Sequence, residues 1–370
     1  MKVAYFIGSL NRGGTEMLTL DICRRKDYAA YEMILIYRNE GELSGEFRKT
    51  GVEMFRIKPK GIKIGYCFRL RKLLKDKQVN VIHAQTFINS QIALLATAFS
   101  TIRLVSSFHG FSFAQAPLLA RRYVMKGSDE LVFVSRYVRD YYLQRNKFCD
   151  VKKCNVVYNG IGSEKFEQKY PVPDFLRTND SVIPKRIKLT MVGNFVDVRS
   201  QIVICRSIKL LKEQGVDNFD FYFVGKRVES EASLYDNCVR YCEENGLTDV
   251  VHFMGSRGDI PAILQHVDGF VYSTDHDTFG IAVVEALLAG LPVIANDWVV
   301  MKEISHEGEF MTLFETGNEV DCCAKMRTLI ENIDVFSRET KKRIDTVKNI
   351  FSIEKHIDGI TAVYEKCCRM

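Results

Sequence analysis

Two carboxylates within one apolar segment are the residues best suited to hold a polar ligand. Residues 276–290 read HDTFGIAVVEALLAG, and Glu285 is the only charge beyond Asp277. An ionised carboxylate is costly to bury unless it has hydrogen-bonding partners. Along a helix axis the eight-residue spacing amounts to about 12 Å, so the two groups can hold separate hydroxyls of one extended ligand. The alternative is structural: Asp277 caps the helix and Glu285 forms an ion pair.

Other residues have the chemistry to bind phosphate. Gly13 and Gly14 follow the first apolar run, where glycines let backbone N–H groups approach an anion at a helix N-terminus. His109 ends another apolar run. Taken alone, a Gly-Gly turn is usually only a turn, and a lone histidine is more often structural.

These residues require a scaffold that brings the ends of several strands together. Short β-branched and aromatic runs alternate with helical stretches, which predicts parallel sheets covered by helices on both faces. Such sheets bind ligands at the carboxyl ends of their strands. The predicted strands are residues 3–7, 33–37, 54–57, 79–84, 103–108, 130–135, 155–158, 188–192, 219–224, 250–254, 269–272 and 292–295. Helices are predicted between them, among them residues 66–77, 90–99 and 234–245 and stretches that end at Leu210 and Leu288.

The length of 370 residues favours two domains. Three prolines, Pro171, Pro173 and Pro184, interrupt the rhythm of strands and helices. We therefore predict an N-terminal domain over residues 1–165, a linker over 166–186 and a second domain over 187–350. The remaining residues, 351–370, contain an amphipathic pattern that predicts a closing helix.

The charge distribution differs between the two halves. Residues 1–180 contain 30 Lys and Arg against 17 Asp and Glu, whereas residues 181–370 contain 22 against 29. The first half is therefore expected to face an anionic partner, and an anionic membrane surface fits because basic and apolar residues alternate near residue 70. An apolar stripe is predicted beside a basic face; in the alternative, the leucines face the domain core. The apolar positions are Phe68, Leu70, Leu73 and Leu74, and the cations are Arg69, Arg71, Lys72 and Lys75, with Arg121, Arg122 and Tyr123 further along.

Composition excludes several classes of protein. Hydrophobic residues make up 46% and charged residues 26%, which is typical of a globular chain rather than a disordered one. No apolar run reaches the roughly 18 residues that a membrane-spanning helix needs. The eleven cysteines form no C-x-x-C motif, so neither a zinc site nor a disulfide framework is indicated. Reduced thiols favour a cytoplasmic protein.

Residues 277–285 resemble the E-x7-E signature of the retaining glycosyltransferases of family 4, with Asp277 in place of the first glutamate. That family has the GT-B fold, an α/β architecture of two tandem, Rossmann-like, doubly wound domains in which the C-terminal helix crosses back to the first. The resemblance implies that Asp277 contacts hydroxyls of the donor sugar and that Glu285 contacts the nucleotide ribose. Tyr158-Asn159-Gly160-Ile161 is similar to a turn that the family has at the entry to the linker.

The resemblance also implies roles for residues in other motifs. It makes His109, Asp277 and Arg199 the catalytic candidates, with Arg199 replacing a lysine of the family's G-R-x4-K loop and Asn194 replacing its arginine. A cation after the 219–224 strand, Lys226 or Arg227, would compensate for that arginine. The remaining donor-binding candidates lie at the glycine turn, the diphosphate loop, the base-binding turn and the start of the signature helix: Gly13, Gly14, Glu16, Asn194, Lys226, Gly255, Thr278, Phe279, Gly280 and Glu285.

The function that the resemblance implies is transfer of a sugar, with retention of configuration, from a nucleotide-diphosphate sugar to an acceptor hydroxyl in surface polysaccharide or glycolipid synthesis. No metal, no cofactor and no nucleic acid is expected, and the acceptor is expected to be lipid-linked or an oligosaccharide. A cytoplasmic enzyme, peripheral on the inner face of the membrane, fits these expectations. Two alternatives remain: a non-catalytic nucleotide-sugar-binding protein on the same scaffold, and a metal-dependent GT-A enzyme that uses Asp275 and Asp277 as a D-x-D motif. The absence of G-x-G-x-x-G after a first strand disfavours a nicotinamide dehydrogenase.

Overall fold

The computed structural model describes residues 1–58, 63–177 and 186–369 and divides into two compact units. Unit 1 comprises Met1–Gly162 and Phe351–Met370, and unit 2 comprises Ser163–Ile350. The described residues of the predicted linker, 166–177 and 186, therefore belong to unit 2, while residues 178–185 lie outside the described residues. Gln265 explains the assignment, because its side-chain amide donates to the carbonyl of Phe166 at 2.9 Å.

Unit 1 contains one parallel sheet of seven strands in the order β3-β2-β1-β4-β5-β6-β7. This order, in which the first strand is central, is the doubly wound arrangement. The strands are β1 Lys2–Phe6, β2 Glu32–Tyr37, β3 Glu53–Arg56, β4 Val81–Ala84, β5 Arg103–Phe108, β6 Glu130–Phe133 and β7 Cys154–Val156. The helices are α1 Gly14–Arg24, α2 Ser44–Lys49, α3 Lys63–Asp76, α4 Phe87–Thr97, α5 Leu118–Gly127, α6 Arg136–Arg145 and, from the end of the chain, α15 Ile353–Arg369.

The central strands form because their residues are apolar at consecutive positions. Four of the five residues of β1 are buried, and so are all four of β4, as expected for strands covered by helices on both faces. Side-chain caps fix where two of the helices begin. The hydroxyl of Thr86 accepts from the backbone N–H of Asn89 at the start of α4, and the hydroxyl of Ser135 accepts from that of Val138 at the start of α6, both at 3.2 Å.

Helix α15 packs along one face of the unit 1 sheet. Its buried side chains recur every three or four residues, which is the spacing of one helix face: Ile353, His356, Ile357, Ile360, Val363, Tyr364 and Cys367. Two ion pairs hold its ends. Arg25 Nε lies 2.8 Å from Glu354 Oε1, and Lys366 Nζ lies 2.7 Å from an oxygen of Glu130, a carboxylate that is 1% exposed.

A buried chain of polar side chains joins α15 to the sheet. The imidazole of His83 bonds to the hydroxyl of Tyr364 at 2.6 Å and to that of Ser107 at 2.7 Å. The Tyr364 hydroxyl donates to Tyr5 at 3.0 Å, and Tyr5 bonds to Tyr31 at 2.9 Å. Burial holds the pKa of His83 well below its ordinary value. The network therefore contains a neutral imidazole, and its interior polar atoms bond to one another.

Unit 2 has the same architecture, with six parallel strands in the order β10-β9-β8-β11-β12-β13. The strands are β8 Ile187–Val192, β9 Phe219–Val224, β10 Val251–Phe253, β11 Gly269–Tyr272, β12 Val293–Asn296 and β13 Thr312–Phe314. The helices are α7 Glu164–Glu167, α8 Gln201–Glu213, α9 Ala232–Glu244, α10 Ile260–Gln265, α11 Ile281–Leu288, α12 Val299–Ile304, α13 Glu319–Glu331 and α14 Ile333–Phe351. The predicted α/β class with two doubly wound sheets is confirmed.

The sequence pattern missed the last strand of unit 2 and the helices around it. Strand β13 has only three residues, and two of them are partly exposed. It is held by its pairing with β12, in the register Ala295↔Leu313. Helices α12, α13 and α14 also follow the last predicted strand, in a region where no helix was predicted before residue 353.

We expect unit 1 to lose stability as the pH falls below 6.5. His356 is 6% exposed, its Nδ1 donates to the carbonyl of Tyr158 at 2.7 Å, and burial lowers its pKa to about 4. An unfolded chain takes up a proton on this imidazole near pH 6.5, whereas the folded chain does not until about pH 4. The unfolded state therefore binds more protons between these values, and stability falls with the pH.

From pH 7 to pH 5 this single group should cost about 2 kcal/mol of unfolding free energy. The measurement is urea denaturation at both pH values for the wild type and for His356→Asn, whose amide can still donate to Tyr158. The variant should lose about 2 kcal/mol less than the wild type over this interval. An equal loss in both proteins would contradict the neutral state of His356.

Candidate functional site

Asp277, Tyr272 and Arg199 form a hydrogen-bonded chain at the carboxyl end of β11. The Tyr272 hydroxyl donates to Asp277 Oδ2 at 2.6 Å, and Arg199 Nε donates to the Tyr272 oxygen at 3.1 Å. Burial, followed by the charge of Asp277, raises the pKa of Tyr272 far above its ordinary value, so the phenol stays protonated. Burial opposes the charge of Arg199, but Tyr272 and Asp277 outweigh it and raise its pKa. The result is a fixed cation and a fixed anion joined by a neutral bridge.

Asp277 lies in the loop before α11, whereas Glu285 lies within the helix. Asp277 Oδ1 accepts from the backbone N–H groups of Thr278 at 2.8 Å and Phe279 at 3.4 Å. The N-cap position is Gly280, with φ 84° and no side-chain cap, so Asp277 does not cap the helix. The spacing of about 12 Å was counted along a helix axis, and α11 covers only the part of that interval from Ile281 onward. Phe279 is 2% exposed, which makes its side chain part of the core.

Gly280 lets the chain turn into α11. Its left-handed φ is rarely adopted by residues that have a side chain. A Cβ at this position would also lie 2.7 Å from Met301 Cε. Asn296 fixes the preceding loop, since its side chain accepts from the backbone N–H of Thr274 at 2.9 Å and donates to its carbonyl at 2.7 Å. The loop that carries Asp277 is thus fixed on both sides, by the contact of Asn296 with Thr274 before it and by the Gly280 turn after it.

Glu285 forms an ion pair with a residue that sequence reasoning missed. Its Oε1 lies 2.6 Å from Lys165 Nζ, and the two side chains are 18% and 26% exposed. Within the described part of the chain, its Oε2 makes no hydrogen bond. One carboxylate oxygen is therefore held in place and the other is available to a ligand. Lys165 lies 120 residues away from Glu285 in sequence. The only sequence feature that could have pointed to it is its position in a Lys-Phe dipeptide shortly after Gly160.

The predicted diphosphate loop lies where β8 and β9 end side by side. Asn194 Oδ1 accepts from the backbone N–H of Lys226 at 3.0 Å, so the asparagine links the two strand ends. A Cβ on Gly225 would lie 1.9 Å from the carbonyl oxygen of Gly193, which means that only glycine allows this approach. Lys226 is exposed and has no ion pair within the residues that the structure describes. The side chain of Arg199 lies 2.5 Å from where a Gly193 Cβ would be. The loop thus brings together Asn194, Lys226 and Arg199.

Arg227 is the poorer of the two candidates for a compensating cation. Its Nε and Nη2 donate to the two oxygens of Asp236 at 2.8 and 2.9 Å, and its Nη1 contacts Glu229 at 2.9 Å. The N–H donors of Arg227 are therefore occupied by carboxylates of unit 2, whereas the exposed Lys226 side chain can reorient toward a ligand.

Gly255 has a φ of 64°, and nothing lies within 4 Å of where its Cβ would be, as suits a turn that a ligand can approach.

In unit 1 the glycine turn precedes α1 as predicted, but the carboxylate of Glu16, in the first turn of α1, lies over it. Gly13 has extended backbone angles at the N-cap, and a Cβ there would be 2.6 Å from Glu16 Oε2. Burial raises the pKa of Glu16. An anion at the helix N-terminus is favourable, and Glu16 provides one from the first turn. A phosphate that binds at Gly13 and Gly14 would require this side chain to move.

His109 lies at the carboxyl end of β5, partly buried beside Gln85. Its Nε2 and the Gln85 side-chain oxygen are 2.7 Å apart, so Nε2 carries the proton and donates. Burial, with a smaller contribution from His356, lowers the pKa of His109 to about 4. The imidazole is therefore neutral near pH 7 and suited to hydrogen bonding rather than to charge stabilisation.

The two aspartates of the D-x-D motif are committed to different partners. The hydroxyl of Ser200 donates to Asp275, while Asp277 is bound by Tyr272 and by backbone N–H groups. Over residues 1–58, 63–177 and 186–369, no group of three His, Cys, Asp or Glu residues is placed to hold a metal ion. This geometry does not favour the GT-A alternative.

The fold and these strand-end loops define the class of protein. A family model described as Glycosyl transferases group 1 matches residues 186–332, and one described as Glycosyltransferase Family 4 matches residues 12–165. The crystal structure of Anabaena Alr3699/HepE in complex with UDP and glucose superposes with a TM-score of 0.80 at 16% identity, covering 99% of each chain. That likeness shows the GT-B fold, which confirms the predicted fold class.

Sequence relatives agree with the family matches. The capsular polysaccharide biosynthesis glycosyltransferase CapH of Staphylococcus aureus is 22% identical over 322 residues, covering 84% of each chain. The UDP-Gal:alpha-D-GlcNAc-diphosphoundecaprenol alpha-1,3-galactosyltransferase of Escherichia coli is 22% identical over 306 residues, or 80% of this chain and 77% of the relative. The chain belongs to the group 1, or family 4, glycosyltransferases.

We expect Gly225→Ala to disrupt the strand-end loop of unit 2. Its Cβ would overlap the Gly193 carbonyl, and backbone atoms cannot move aside as a flexible side chain can. The expected loss is at least about 3 kcal/mol of unfolding free energy, a size reserved for such specific clashes. Gly258→Ala is the matched control, because nothing lies within 4 Å of its Cβ. Urea denaturation of both variants checks this, and similar stabilities would refute the close approach.

Proposed function

We propose that this glycosyltransferase moves a sugar from a nucleotide-diphosphate donor to an acceptor hydroxyl with retention of configuration and without a metal ion. The observation that carries the proposal is the chain Arg199–Tyr272–Asp277, which holds a cation and an anion at the carboxyl edge of the unit 2 sheet. A departing diphosphate needs positive charge, and a sugar that develops oxocarbenium character needs its hydroxyls held.

Each carboxylate has a separate task in this proposal. Asp277 accepts hydrogen bonds from the donor sugar, and Glu285 accepts them from the ribose through its free Oε2. Arg199, helped by Lys226, stabilises the leaving diphosphate. The support is their placement: Arg199 and Lys226 both lie at the loop formed by Gly193 and Gly225. The acceptor attacks the face from which the diphosphate departs, and the leaving phosphate accepts the acceptor's proton.

The printed names of the relatives support the donor and acceptor classes. The Escherichia coli relative is named for a UDP-sugar donor and a lipid-diphosphate acceptor, and the Staphylococcus aureus relative for capsular polysaccharide. The Anabaena structure contains UDP and glucose. We therefore infer a nucleoside diphosphate sugar as donor and a lipid-linked saccharide as acceptor, in the synthesis of a surface polysaccharide or glycolipid.

A panel of nucleotide sugars tests the proposed function. The full-length protein is incubated with UDP-, GDP- and ADP-sugars, with and without EDTA, and binding and slow hydrolysis of each donor are measured. One donor should stabilise the protein and be hydrolysed equally in both conditions. Loss of hydrolysis with EDTA, restored by Mn²⁺, would contradict metal independence. Binding without any turnover, also in the presence of acceptors, would favour the non-catalytic alternative, which Asn194 and the shorter Asp277 motivate.

We expect Glu285→Gln to weaken donor binding without unfolding the protein. A charged acceptor for ribose hydroxyls is worth more than a neutral one, so the donor Kd should rise about tenfold or more. Lys165→Gln should raise it less, because Glu285 keeps its charge but loses the contact that orients it. Lys348→Gln is the control. Lys348 forms an ion pair at 2.8 Å with Glu167, which is in the same segment as Lys165, and does not touch Glu285. Calorimetric titration with the donor measures all three.

Unfolding of Glu285→Gln with unchanged affinity in its folded fraction would make Glu285 a structural residue. Equal effects of Lys165→Gln and Lys348→Gln would mean that Lys165 only anchors the segment.

We also propose that unit 1 docks on an anionic membrane, but through a different apolar surface from the one that the sequence indicated. Leu70 and Leu74 are fully buried, so the predicted stripe on α3 was wrong and these leucines face the core. Phe68 alone of the stripe is largely exposed, at 66%. Large exposed apolar side chains come instead from or next to α4, which contacts α3, and α5, which contacts α4: Leu95, Phe99, Leu118, Leu119 and Tyr123.

This apolar set lies among cations, which supports membrane docking. Arg69, Lys72 and Lys75 are exposed on α3, and Arg122 is exposed on α5. Each cation near an anionic surface contributes about 1 kcal/mol, and the attraction fades within a Debye length. No helix among the described residues is both long and apolar enough to span a bilayer.

Liposome co-sedimentation tests the docking surface. The wild type should sediment with vesicles that contain anionic lipid and less so as salt rises. Changing Arg69, Arg71, Lys72 and Lys75 to Gln should reduce binding, and so should Phe99→Ser with Leu119→Ser. The control removes four cations from unit 2, Lys209, Lys325, Lys341 and Lys342, and should bind as the wild type does. Equal loss in the control would indicate a net-charge effect, and no binding to any vesicle would contradict docking.

A further inference from the structure

Among the buried polar atoms of unit 1 that have no partner in the described residues, two belong to Tyr66 and Arg38. Tyr66 is 4% exposed, and its hydroxyl makes no hydrogen bond among the described residues. The Nε of Arg38 is also buried and unpaired. A buried donor that loses its hydrogen bonds to water and gains none in return costs on the order of 1–3 kcal/mol. Such atoms call for an explanation, and a ligand that accepts hydrogen bonds would provide one.

Two further arginines lie next to Arg38 or Tyr66. Arg56 Nε donates to the carbonyl of Arg38 at 3.3 Å, and Arg69 Cζ lies 5.9 Å from the centre of the Tyr66 ring. Burial raises the pKa of Tyr66 to about 12, although the charges of Arg38 and Arg69 both act to lower it. Both cations are therefore near the phenol, which remains a neutral donor at pH 7.

No carboxylate neutralises these arginines within the described part of unit 1. Arg38, Arg56 and Arg69 take part in no ion pair there. Glu40 is the nearby acid that influences Arg56, but it is already bound. One of its oxygens accepts from the Tyr37 hydroxyl at 2.8 Å and the other from Arg48 at 3.0 Å. The cluster consequently keeps an excess of positive charge.

The cluster occupies the ligand-binding edge of the sheet. Arg56 is the last residue of β3, and Arg38 directly follows β2, so both stand at the carboxyl ends of parallel strands. The guanidinium of Arg38 reaches over the end of β1, where its Nη2 lies 3.1 Å from the position of a Cβ on Gly8. His109 follows β5 at the same edge. An anion bound by the arginines would therefore lie on the same edge as the histidine candidate.

The donor set fits a phosphate group. Guanidinium groups bind phosphate oxygens with charge-assisted, often bidentate, hydrogen bonds. A buried neutral hydroxyl adds a directed donor. A single carboxylate offers two oxygens, whereas a diphosphate offers enough acceptors for several arginines and the phenol together. The donor's own diphosphate is assigned above to Arg199 and Lys226 of unit 2, so a second anion has to be the ligand here.

We propose that Arg38, Arg56 and Tyr66, with Arg69 at their margin, form a site for the diphosphate of the acceptor. This inference rests on the proposed function, because the lipid-linked acceptor inferred there carries such a diphosphate. The site holds the acceptor by the phosphate that precedes its first sugar, independently of which sugar the acceptor presents.

The experiment measures binding of inorganic pyrophosphate and of geranyl diphosphate to the full-length protein saturated with UDP. UDP fills the donor site, so any remaining binding reports a second site. Arg38→Gln should raise the Kd for both probes by about tenfold or more, since it removes charge-assisted bonds. Tyr66→Phe should raise it about threefold to tenfold while leaving the unliganded protein as stable or more stable, because it deletes an unsatisfied buried hydroxyl. Lys49→Gln is the control and should change nothing, because Lys49 is an exposed cation of unit 1 that forms no ion pair among the described residues.

Pyrophosphate that binds only in competition with UDP, or that binds Arg38→Gln and Tyr66→Phe as it binds the wild type, would overturn the site. Binding of pyrophosphate but not of geranyl diphosphate would overturn its assignment to a lipid-linked acceptor. The affinity for UDP separates this inference from the proposed function. Arg38-dependent probe binding in a protein that binds no nucleotide would refute the donor assignment and leave the anion site standing.

Discussion

The structure of unit 1 depends on one close approach between two distant parts of the chain. Gly160 lies where a Cβ would be 2.6 Å from His356 Cβ and 2.7 Å from Ile353 Cα. At the next residue, the backbone N–H of Ile161 donates to the carbonyl of Phe351 at 2.9 Å, and that of Ile353 donates to Ile161 at 3.1 Å. The Asn-Gly-Ile turn therefore fixes the position of α15. A larger residue at Gly160 would displace the helix whose buried face completes the core and whose Tyr364 joins the polar network around His83.

In unit 2 a single hydroxyl has the corresponding role. Tyr272 separates Arg199 from Asp277, which would otherwise be free to form a direct ion pair. A direct pair would satisfy both charges and leave little of either for a ligand. With a protonated phenol between them, one Asp277 oxygen accepts from the phenol and the other from the backbone, while Arg199 uses only Nε on the bridge. The arrangement keeps a cation and an anion apart at a short distance, which costs stability in the unliganded protein and suits a ligand that carries both negative charge and hydroxyl groups.

Periodicity predicted most strands, because strands buried on both faces are apolar at consecutive positions and bounded by turns. The apolar surroundings also drew attention to Asp277 and Glu285, whereas Arg199 was suggested by the resemblance of its loop to the family's motif. Tyr272 was missed because, as the last residue of an apolar strand, it looks like core, and its role depends on partners brought by other loops. Lys165 was missed because its partner is remote in sequence. The leucines of α3 were assigned to a membrane stripe because spacing alone does not tell which side of a helix meets its neighbours. Packing against α4 decides that, and it places Leu70 and Leu74 inside.

The discontinuity of unit 1 sets an order of assembly during synthesis. Residues 1–162 leave the ribosome first, yet part of one face of their sheet, beside α1, remains uncovered until α15 has been made, 188 residues of unit 2 later. Unit 2 is continuous in sequence and can complete its own core before that point. During this interval the apolar side chains that α15 will cover, among them Tyr5, Val81 and Val105, are exposed to solvent or to other chains. A nascent chain of this kind needs protection at its first domain rather than at its last, and a ribosome that stalls within unit 2 leaves an unfinished N-terminal half.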